Sequence, residues 1–446
     1  MDAKLASLAR AVAGRELTLT PIEIRRLGHR REIRSRIAVG LPLGAVAVVL
    51  LAVLVPLAGS HRHTRPTASP TSLRPPPVAA GSCYSPAPGT RAVAYVLTAT
   101  GPSYDAGTVT AVDLTTHRVL WSSPLPTGSG TPDAVAFASA TDTAWVLSHT
   151  GQVHGGLPTE LTPLNVTTDT FGSAIRLGVV TGGGVGLALS PNGLLAYVPT
   201  GIATPLIPAN DALIPVDLTT RHVEAPLLVG ENPLSVAFAP NGRLAYVSTE
   251  SGLSIVDVAK SREIGNVPYP TLPTTPSSDW FSPGVVAVSP SGTEAVVGTI
   301  PLDLTSSPPV VMVFNLRTRQ AKVIGIPKEA SYGRPMNSSF SFTCDGSDVF
   351  VTGPGLVSRI ELPSAGVTTI EARARKPVVP SADITPFAEV VPGGRQTWIA
   401  SPFYNGYHSV TQQTILFSVA AGTTSPGPGF PVANGRPVGI AISSRA

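Results

Sequence analysis

Short runs of alternating small and apolar residues, separated by turn-forming residues, dominate the chain and are clearest in Pro233–Ile264. There, Ser235–Ala239 precedes a Pro-Asn-Gly turn, Leu244–Thr249 runs back, Leu253–Val258 follows a short loop, and Ala259–Arg262 turns into a fourth segment. Apolar alternation with a period of two, bounded by Pro, Asn, Gly and Ser, is typical of antiparallel strands joined by hairpins. We therefore predict a four-stranded antiparallel sheet, which needs copies of itself to bury both of its faces.

The same unit recurs with a spacing of about 50 residues between its first strands, which indicates a solenoid or a propeller. The first-strand pattern occurs at 134–138, 187–191, 235–240, 286–290, 339–343 and 388–392. The second-strand pattern occurs at 94–98, 144–148, 196–200, 245–249, 295–299, 349–353 and 397–401. The third-strand pattern occurs at 110–114, 162–166, 214–218, 254–258, 312–316, 358–362 and 416–420.

The number of repeats indicates how the array ends. Second and third strands each occur seven times, but six first strands lie between them, because the repeat that begins at Ala94 lacks one. The sequence VGIAIS at Val438–Ser443 supplies a first-strand pattern at the far end of the chain. A blade completed from both termini closes a ring and leaves no free sheet edge. We predict an all-β fold, a seven-bladed β-propeller over residues 89–446 with terminal-strand ring closure.

The repeats also resemble a known family. The patterns A-x-S-P-N-G-x-x-A-Y-V and x-I-V-D-V are similar to the YVTN-type β-propeller repeats of bacterial and archaeal surface proteins. The resemblance is closest at Leu187–Thr200 with Leu213–Val223 and at Val236–Ile264, and it fades in the second, sixth and seventh repeats. It covers most of residues 89–446 and implies a propeller at a cell surface. Because the family motif is structural, the resemblance carries no catalytic residue to this chain.

An uncharged apolar segment, Ile37–Ala58, precedes the repeats. Its 22 residues would span about 30 Å as a helix, which is the thickness of the hydrocarbon core of a bilayer. Residues 1–36 carry nine Lys or Arg and four Asp or Glu, whereas Arg62 and Arg65 are the nearest basic residues after the segment. The positive-inside rule then places the N-terminus in the cytoplasm. The alternative is a cleaved signal peptide, although its apolar core would usually have only about 7–15 residues.

These features predict a single-pass protein of the cell membrane. Its parts are a basic cytoplasmic tail at 1–36, a transmembrane helix at 37–58, a Pro/Ser/Thr-rich linker at 59–88 and an extracytoplasmic propeller. The tail is either a solvated basic segment near anionic headgroups or a docking site for a cytoplasmic partner. After residue 36 the chain has 22 basic and 23 acidic residues, and it lacks the basic stripe that nucleic-acid binding requires. We therefore predict the membrane as one partner and no nucleic acid.

Candidate binding residues come from the predicted loops. In a propeller, the loops between second and third strands and those between blades gather on one face around the axis, and long loops on a regular scaffold carry function. The long loops are predicted at 98–107, 149–160, 201–212, 300–309 and 401–413. From these loops and their neighbours we select Tyr104, Asp105, His149, His154, Asp211, Glu250, Trp280, Asp303, Tyr404, Tyr407 and His408 as candidate ligand-binding residues.

Three hypotheses fit these residues. Aromatic anchors with polar neighbours suit a surface that binds a cell-surface protein or glycan, which is the function we favour. Carboxylates and histidines near the axis suit instead a divalent metal in a lactonase-like hydrolase or lyase. The third hypothesis is a structural spacer with solvated loops. The sequence contains no phosphate-binding glycine loop, HExxH or GxSxG motif, so we name no catalytic residue and predict no cofactor, while a divalent metal stays possible.

Two further residue sets carry structural predictions. Cys83 and Cys344 are the only cysteines and would both lie outside the cell, where a disulfide between them would persist; two unpaired thiols are the alternative. Asx residues recur at one repeat position just before a turn, and we predict that they cap that turn through backbone N–H groups. They are Asp113, Asn165, Asp217, Asp257 and Asn315.

Overall fold

The computed structural model describes residues 91–100, 105–137, 141–151, 157–180, 186–200, 212–270, 281–301, 310–326, 339–353, 356–371, 387–390, 396–404, 412–420 and 429–445. The predicted tail, transmembrane helix and linker lie outside these residues. Within them, no helix has the length and hydrophobicity that a membrane span requires.

The described residues form thirty strands, numbered in chain order. They are β1 (Arg91–Thr100), β2 (Ala106–Asp113), β3 (Arg118–Pro124), β4 (Thr131–Phe137), β5 (Thr143–His149), β6 (Leu157–Asn165), β7 (Thr170–Phe171), β8 (Ile175–Val180), β9 (Ala188–Leu189), β10 (Leu195–Pro199), β11 (Ala212–Asp217), β12 (His222–Val223), β13 (Leu227–Leu228), β14 (Ser235–Phe238) and β15 (Leu244–Thr249). The remainder are β16 (Gly252–Asp257), β17 (Arg262–Val267), β18 (Phe281–Val288), β19 (Glu294–Pro301), β20 (Val310–Asn315), β21 (Gln320–Gly325), β22 (Phe340–Phe342), β23 (Asp348–Gly353), β24 (Leu356–Glu361), β25 (Gly366–Glu371), β26 (Phe387–Val390), β27 (Gln396–Tyr404), β28 (Gln412–Ala420), β29 (Phe430–Asn434) and β30 (Arg436–Arg445).

These strands pair into seven antiparallel sheets, which are the blades of a propeller. Blade 1 has the order β3-β2-β1-β30, and blades 2 to 7 begin with β4, β9, β14, β18, β22 and β26. The first strands of successive blades contact one another, so they form the inner wall of the ring. The predicted all-β, seven-bladed propeller is confirmed.

The ring closes in blade 1, where the last strand of the chain pairs with the first. Antiparallel pairing between β1 and β30 places Ala94 opposite Ile442 and Val96 opposite Ile440. The missing first strand therefore comes from the C-terminus, as the sequence predicted. This pairing also satisfies the backbone of an inner edge that would otherwise be exposed.

The hydrophobic core lies between neighbouring blades. The apolar residues of each strand alternate between its two faces, and each face packs on the adjacent blade. One cluster joins Tyr95 and Leu97 of blade 1 to Val146 of blade 2, and another joins Ile440 of blade 1 to Trp398 of blade 7. Closure of the ring is thus a packing contact as well as a strand pairing.

The turns between third and fourth strands are capped as predicted. Asp217 Oδ1 accepts hydrogen bonds from the backbone N–H groups of Thr219 at 2.8 Å and Thr220 at 3.0 Å. Asp113, Asn165 and Asn315 each make the same pair of contacts, and Asp257 accepts one from Lys260. These side chains therefore stabilise the turns of the propeller.

The outer strands of blades 2 and 3 differ from the four-stranded prediction. Their fourth strands are interrupted, so β7 and β8 both pair with β6, and β12 and β13 both pair with β11. Pro163 and Pro215 stand in the third strands at the interruption, and their carbonyl groups accept from Gly172 and Glu224. Proline has no N–H to return the second ladder bond, so the pairing breaks at that point.

Cys344 lies in the turn between β22 and β23 and is disulfide-bonded. Cys83 lies outside the described residues. Its pairing with Cys344 stays a prediction that rests on the chain's having two cysteines.

Candidate functional site

The two faces of the ring carry different connections. We call the loop face the one where second strands lead to third strands and where each blade leads to the next. The turn face carries the links between first and second strands and between third and fourth strands. Along the chain, residues 150–156, 200–211, 302–309 and 405–411 separate second from third strands, whereas only residues 250 and 251 do so in blade 4.

Several predicted loops are shorter than the sequence indicated, because the strands run further. His149 and Tyr404, which we predicted in loops, are the last residues of β5 and β27 and pair with Thr159 and Gln412. Extended backbone persists there because the neighbouring strand offers a ladder of hydrogen-bonding groups.

Four of the eleven candidate residues fall in the described part of the chain. Asp105 is exposed just before β2, His149 is half-buried in blade 2, and Glu250 is exposed in blade 4. Tyr404 has a described backbone only. His149 belongs to blade 2 and Glu250 to blade 4, and each lies in a different group of polar side chains, described below. The others lie outside the described residues: Tyr104, His154, Asp211, Trp280, Asp303, Tyr407 and His408.

His149 forms a close pair with Asp133 at the loop-face end of blade 2. The distance from His149 Nδ1 to Asp133 Oδ2 is 2.7 Å, and each side chain is 17% exposed. Asp133 stands at a β-bulge, since the pairing of β4 with β5 shifts between Pro132 and Ala134. A bulge re-aims the extra residue and is common beside functional sites. Here it brings a carboxylate from the inner strand to the imidazole.

The titration of this pair follows from burial and from the shared hydrogen bond. That bond raises the pKa of His149 above its usual value, against the effect of burial. Burial raises the pKa of Asp133, against the effect of the same bond. Both shifts mean that the pair holds its shared proton more tightly than the separate groups would. With Nδ1 bonded to Asp133, His149 presents Nε2 for proton transfer or ligand contact.

A second cluster lies on the loop face of blade 4, and we call it the polar patch. It consists of Asn232, Thr249, Glu250, Ser251, Ser254 and Asn266. Asn232 Nδ2 donates to Glu250 Oε1 at 2.6 Å. Asn266 Nδ2 donates to Ser254 Oγ at 3.2 Å, and the hydroxyls of Thr249 and Ser251 lie 3.2 Å apart. The patch thus combines hydroxyl, amide and carboxylate groups in fixed positions.

Gly230 makes the arrangement of the polar patch possible. A Cβ at this position would lie 2.7 Å from Thr249 Oγ1, 3.0 Å from Ser251 Oγ and 3.1 Å from Ser254 Oγ. Three hydroxyl oxygens therefore converge on one glycine, in the link that leads into blade 4. Sequence reasoning identified Glu250 but missed this convergence, which depends on contacts between the interblade link and the β15–β16 turn.

Asp133 was also missed, because it stands in the apolar run TPDAVAF and reads as an ordinary strand position. As for a metal, no group of three or more His, Cys, Asp or Glu comes together among the described residues. The candidate ligand-binding residues His154, Asp211, Asp303 and His408 lie outside the described residues, so this finding does not cover them.

No family model matches this chain, and neither does a curated protein. Solved structures are similar to it. The periplasmic gluconolactonase PpgL of Pseudomonas aeruginosa is 16% identical, covering 78% of this chain and 99% of its own, with a TM-score of 0.55. Apo AztD from Citrobacter koseri is 12% identical, covering 80% and 99%, with a TM-score of 0.49. At this identity the likeness to PpgL shows the fold alone. The chain is a seven-bladed β-propeller.

Proposed function

We propose that this chain is a membrane-anchored, extracytoplasmic binding protein that recognises a cell-surface protein or glycan through the loop face. The apolar segment at 37–58 and the basic residues before it support the anchor and the orientation. The near-neutral propeller favours an uncharged partner over nucleic acid.

The observation that carries the proposal is the contrast between the two faces. On the turn face, Asp113, Asp217 and their equivalents are used to cap turns. On the loop face, Glu250 is exposed and is held in place by Asn232, so it can still accept hydrogen bonds from a ligand. Recognition requires oriented side chains of this kind. On the turn face, many such side chains are already hydrogen-bonded to backbone N–H groups.

The experiment measures binding of the full chain, in detergent micelles, to isolated cell envelopes of its host. Tyr404→Ala combined with Tyr407→Ala should weaken binding at least tenfold, because aromatic anchors dominate such interfaces. Leu194→Ala combined with Arg243→Ala is the matched control, since both residues lie in turns of the opposite face. Equal losses from the two double variants, or a loss from the control alone, would refute the assignment of binding to the loop face.

A metal-dependent, lactonase-like hydrolase is the second candidate, and the pair of Asp133 and His149 favours it. A carboxylate that orients an imidazole is a common arrangement for general acid–base catalysis. The fold is shared with a protein described as a gluconolactonase, although that likeness concerns architecture only.

Two measurements test this candidate. A metal present at 100 times its dissociation constant stabilises a protein by about 2.7 kcal/mol. If the hydrolase hypothesis holds, chelation should lower the melting temperature of the full chain, and Ca²⁺, Mg²⁺ or Zn²⁺ should restore it. The second measurement is lactone hydrolysis by the full chain. Activity that is lost in His149→Gln would also support the hydrolase candidate. An unchanged melting temperature together with no hydrolysis would exclude the candidate.

A further inference from the structure

We propose that the polar patch on blade 4 is a saccharide-binding subsite that takes a neutral or amino sugar. The inference rests on the proposed function, because it assumes that ligands bind on the loop face. It narrows the partner from protein or glycan to glycan, and it assigns a site within that face.

The first argument is the oriented carboxylate. Glu250 is exposed to solvent, yet Asn232 fixes one of its oxygens through a 2.6 Å hydrogen bond. The backbone N–H of Glu250 also donates to Glu231 O at 2.7 Å, which fixes the turn that carries the side chain. A carboxylate oxygen held in this way accepts from the neighbouring hydroxyls of a sugar ring without first losing rotamer freedom.

The second argument is the mixture of donors and acceptors. Sugar hydroxyls both donate and accept, so a site for them needs both roles within a few ångströms. Asn266 and Ser251 are exposed and supply an amide and a hydroxyl on the same blade as the carboxylate. Thr249 and Ser254 are fully buried and hold these groups from below, through the Asn266–Ser254 and Thr249–Ser251 contacts.

The third argument is rigidity. The hydroxyls of Thr249, Ser251 and Ser254 converge on Gly230, and Thr249 Oγ1 also donates to Gly252 O at 2.8 Å. Gly252 has a φ of 150°, and a Cβ there would lie 2.4 Å from Asn266 Oδ1. Two glycines therefore set the positions of the polar groups, which lowers the entropic cost of binding a polar ligand.

Charge selects the class of sugar. None of the six residues of the patch is basic, and Glu250 and its neighbour Glu231 are both exposed and acidic. A phosphate or uronate on the ligand would face like charge, which is unfavourable at close range. A neutral sugar avoids that repulsion, and the ammonium group of an amino sugar would be attracted.

The test uses the full chain in detergent micelles and measures affinity by isothermal titration calorimetry. The probes are chitotriose and cellotriose as neutral sugars, chitosan trimer as an amino sugar, and trigalacturonate as an anionic control. We expect a neutral or amino trisaccharide to bind and trigalacturonate not to bind. Glu250→Gln should weaken binding at least tenfold, since hydrogen bonds to charged groups are among the stronger ones.

Gly230→Ala should weaken sugar binding, because its Cβ would lie 2.7 Å from Thr249 Oγ1 and would crowd the hydroxyls of Ser251 and Ser254. This variant could also lower stability, so Glu250→Gln, which keeps the shape of an exposed side chain, is the decisive variant. Glu263→Gln is its matched control: it makes the same change of charge on β17 of the same blade and should leave affinity unchanged.

Three outcomes would overturn the inference: no probe binds, trigalacturonate binds best, or binding survives unchanged in Glu250→Gln. Envelope binding of the unmodified chain separates the two proposals. If the envelopes are bound and none of the sugars is, the saccharide site is wrong while the binding face stands. If neither is bound, both proposals are wrong.

Discussion

Ile440→Ala tests the claim that the last strand closes the ring. Ile440 is 7% exposed and pairs with Val96, and it packs in one cluster with Trp398 and Leu416 of blade 7. The substitution therefore removes contacts to two blades at the junction where the chain ends meet.

The expected loss can be worked out from the atoms removed. Alanine lacks three carbons of isoleucine, and at about 0.8 kcal/mol for each buried carbon the transfer loss is about 2.4 kcal/mol. Incomplete collapse of the cavity adds to this, so we expect the free energy of unfolding to fall by about 2–4 kcal/mol. The assay is urea unfolding of the full chain in detergent, followed by tryptophan fluorescence and circular dichroism.

Ile264→Ala is the matched control, because Ile264 is 42% exposed on the outer strand of blade 4. It should change stability by about 0.5 kcal/mol or less. A loss below about 1 kcal/mol in Ile440→Ala, or an equal loss in both variants, would show that β30 does not seal the ring.

Three more predictions follow from single contacts. Asp217→Ala should cost about 1 kcal/mol of stability, measured by urea unfolding, because two backbone N–H groups lose their acceptor. Asp133→Asn should lower the pKa of His149, measured by NMR titration. The folded pKa of this histidine is raised, so its contribution to stability is complete below about pH 6.5 and is lost as pH rises through the folded value; an unchanged pKa would refute the pairing. Non-reducing peptide mapping should find Cys83 linked to Cys344, and a free thiol at either residue would contradict that pairing.

The architecture could be predicted because the repeat pattern is local. Alternating residues mark the strands, and in several blades Asx residues or turns such as those at 190–193 and 239–242 mark the turns, while Val438–Ser443 completes the count. Even the broken outer strands have a local cause that the sequence contains. Pro163 and Pro215 have no backbone N–H, so the third strands of blades 2 and 3 cannot donate to their neighbours at these residues.

The candidate site could be predicted only in part, because it depends on contacts between segments far apart in the sequence or on small irregularities of pairing. Glu250 was identified from its place in a short loop, but Gly230 and Asn232 come from the link that precedes the blade. Asp133 meets His149 through a bulge that shifts the register by one residue. Alternation gives no indication of such a shift, so the carboxylate read as a strand residue.

The most direct test of the central claim is hydrogen–deuterium exchange of the full chain in detergent, with and without a saturating solubilised extract of the host's cell envelope. We predict protection at the loop face, in 229–234 and 249–254, and unchanged exchange in the turns at 190–194 and 239–243. Protection confined to those turns, or no protection in any segment, would contradict the assignment of binding to the loop face.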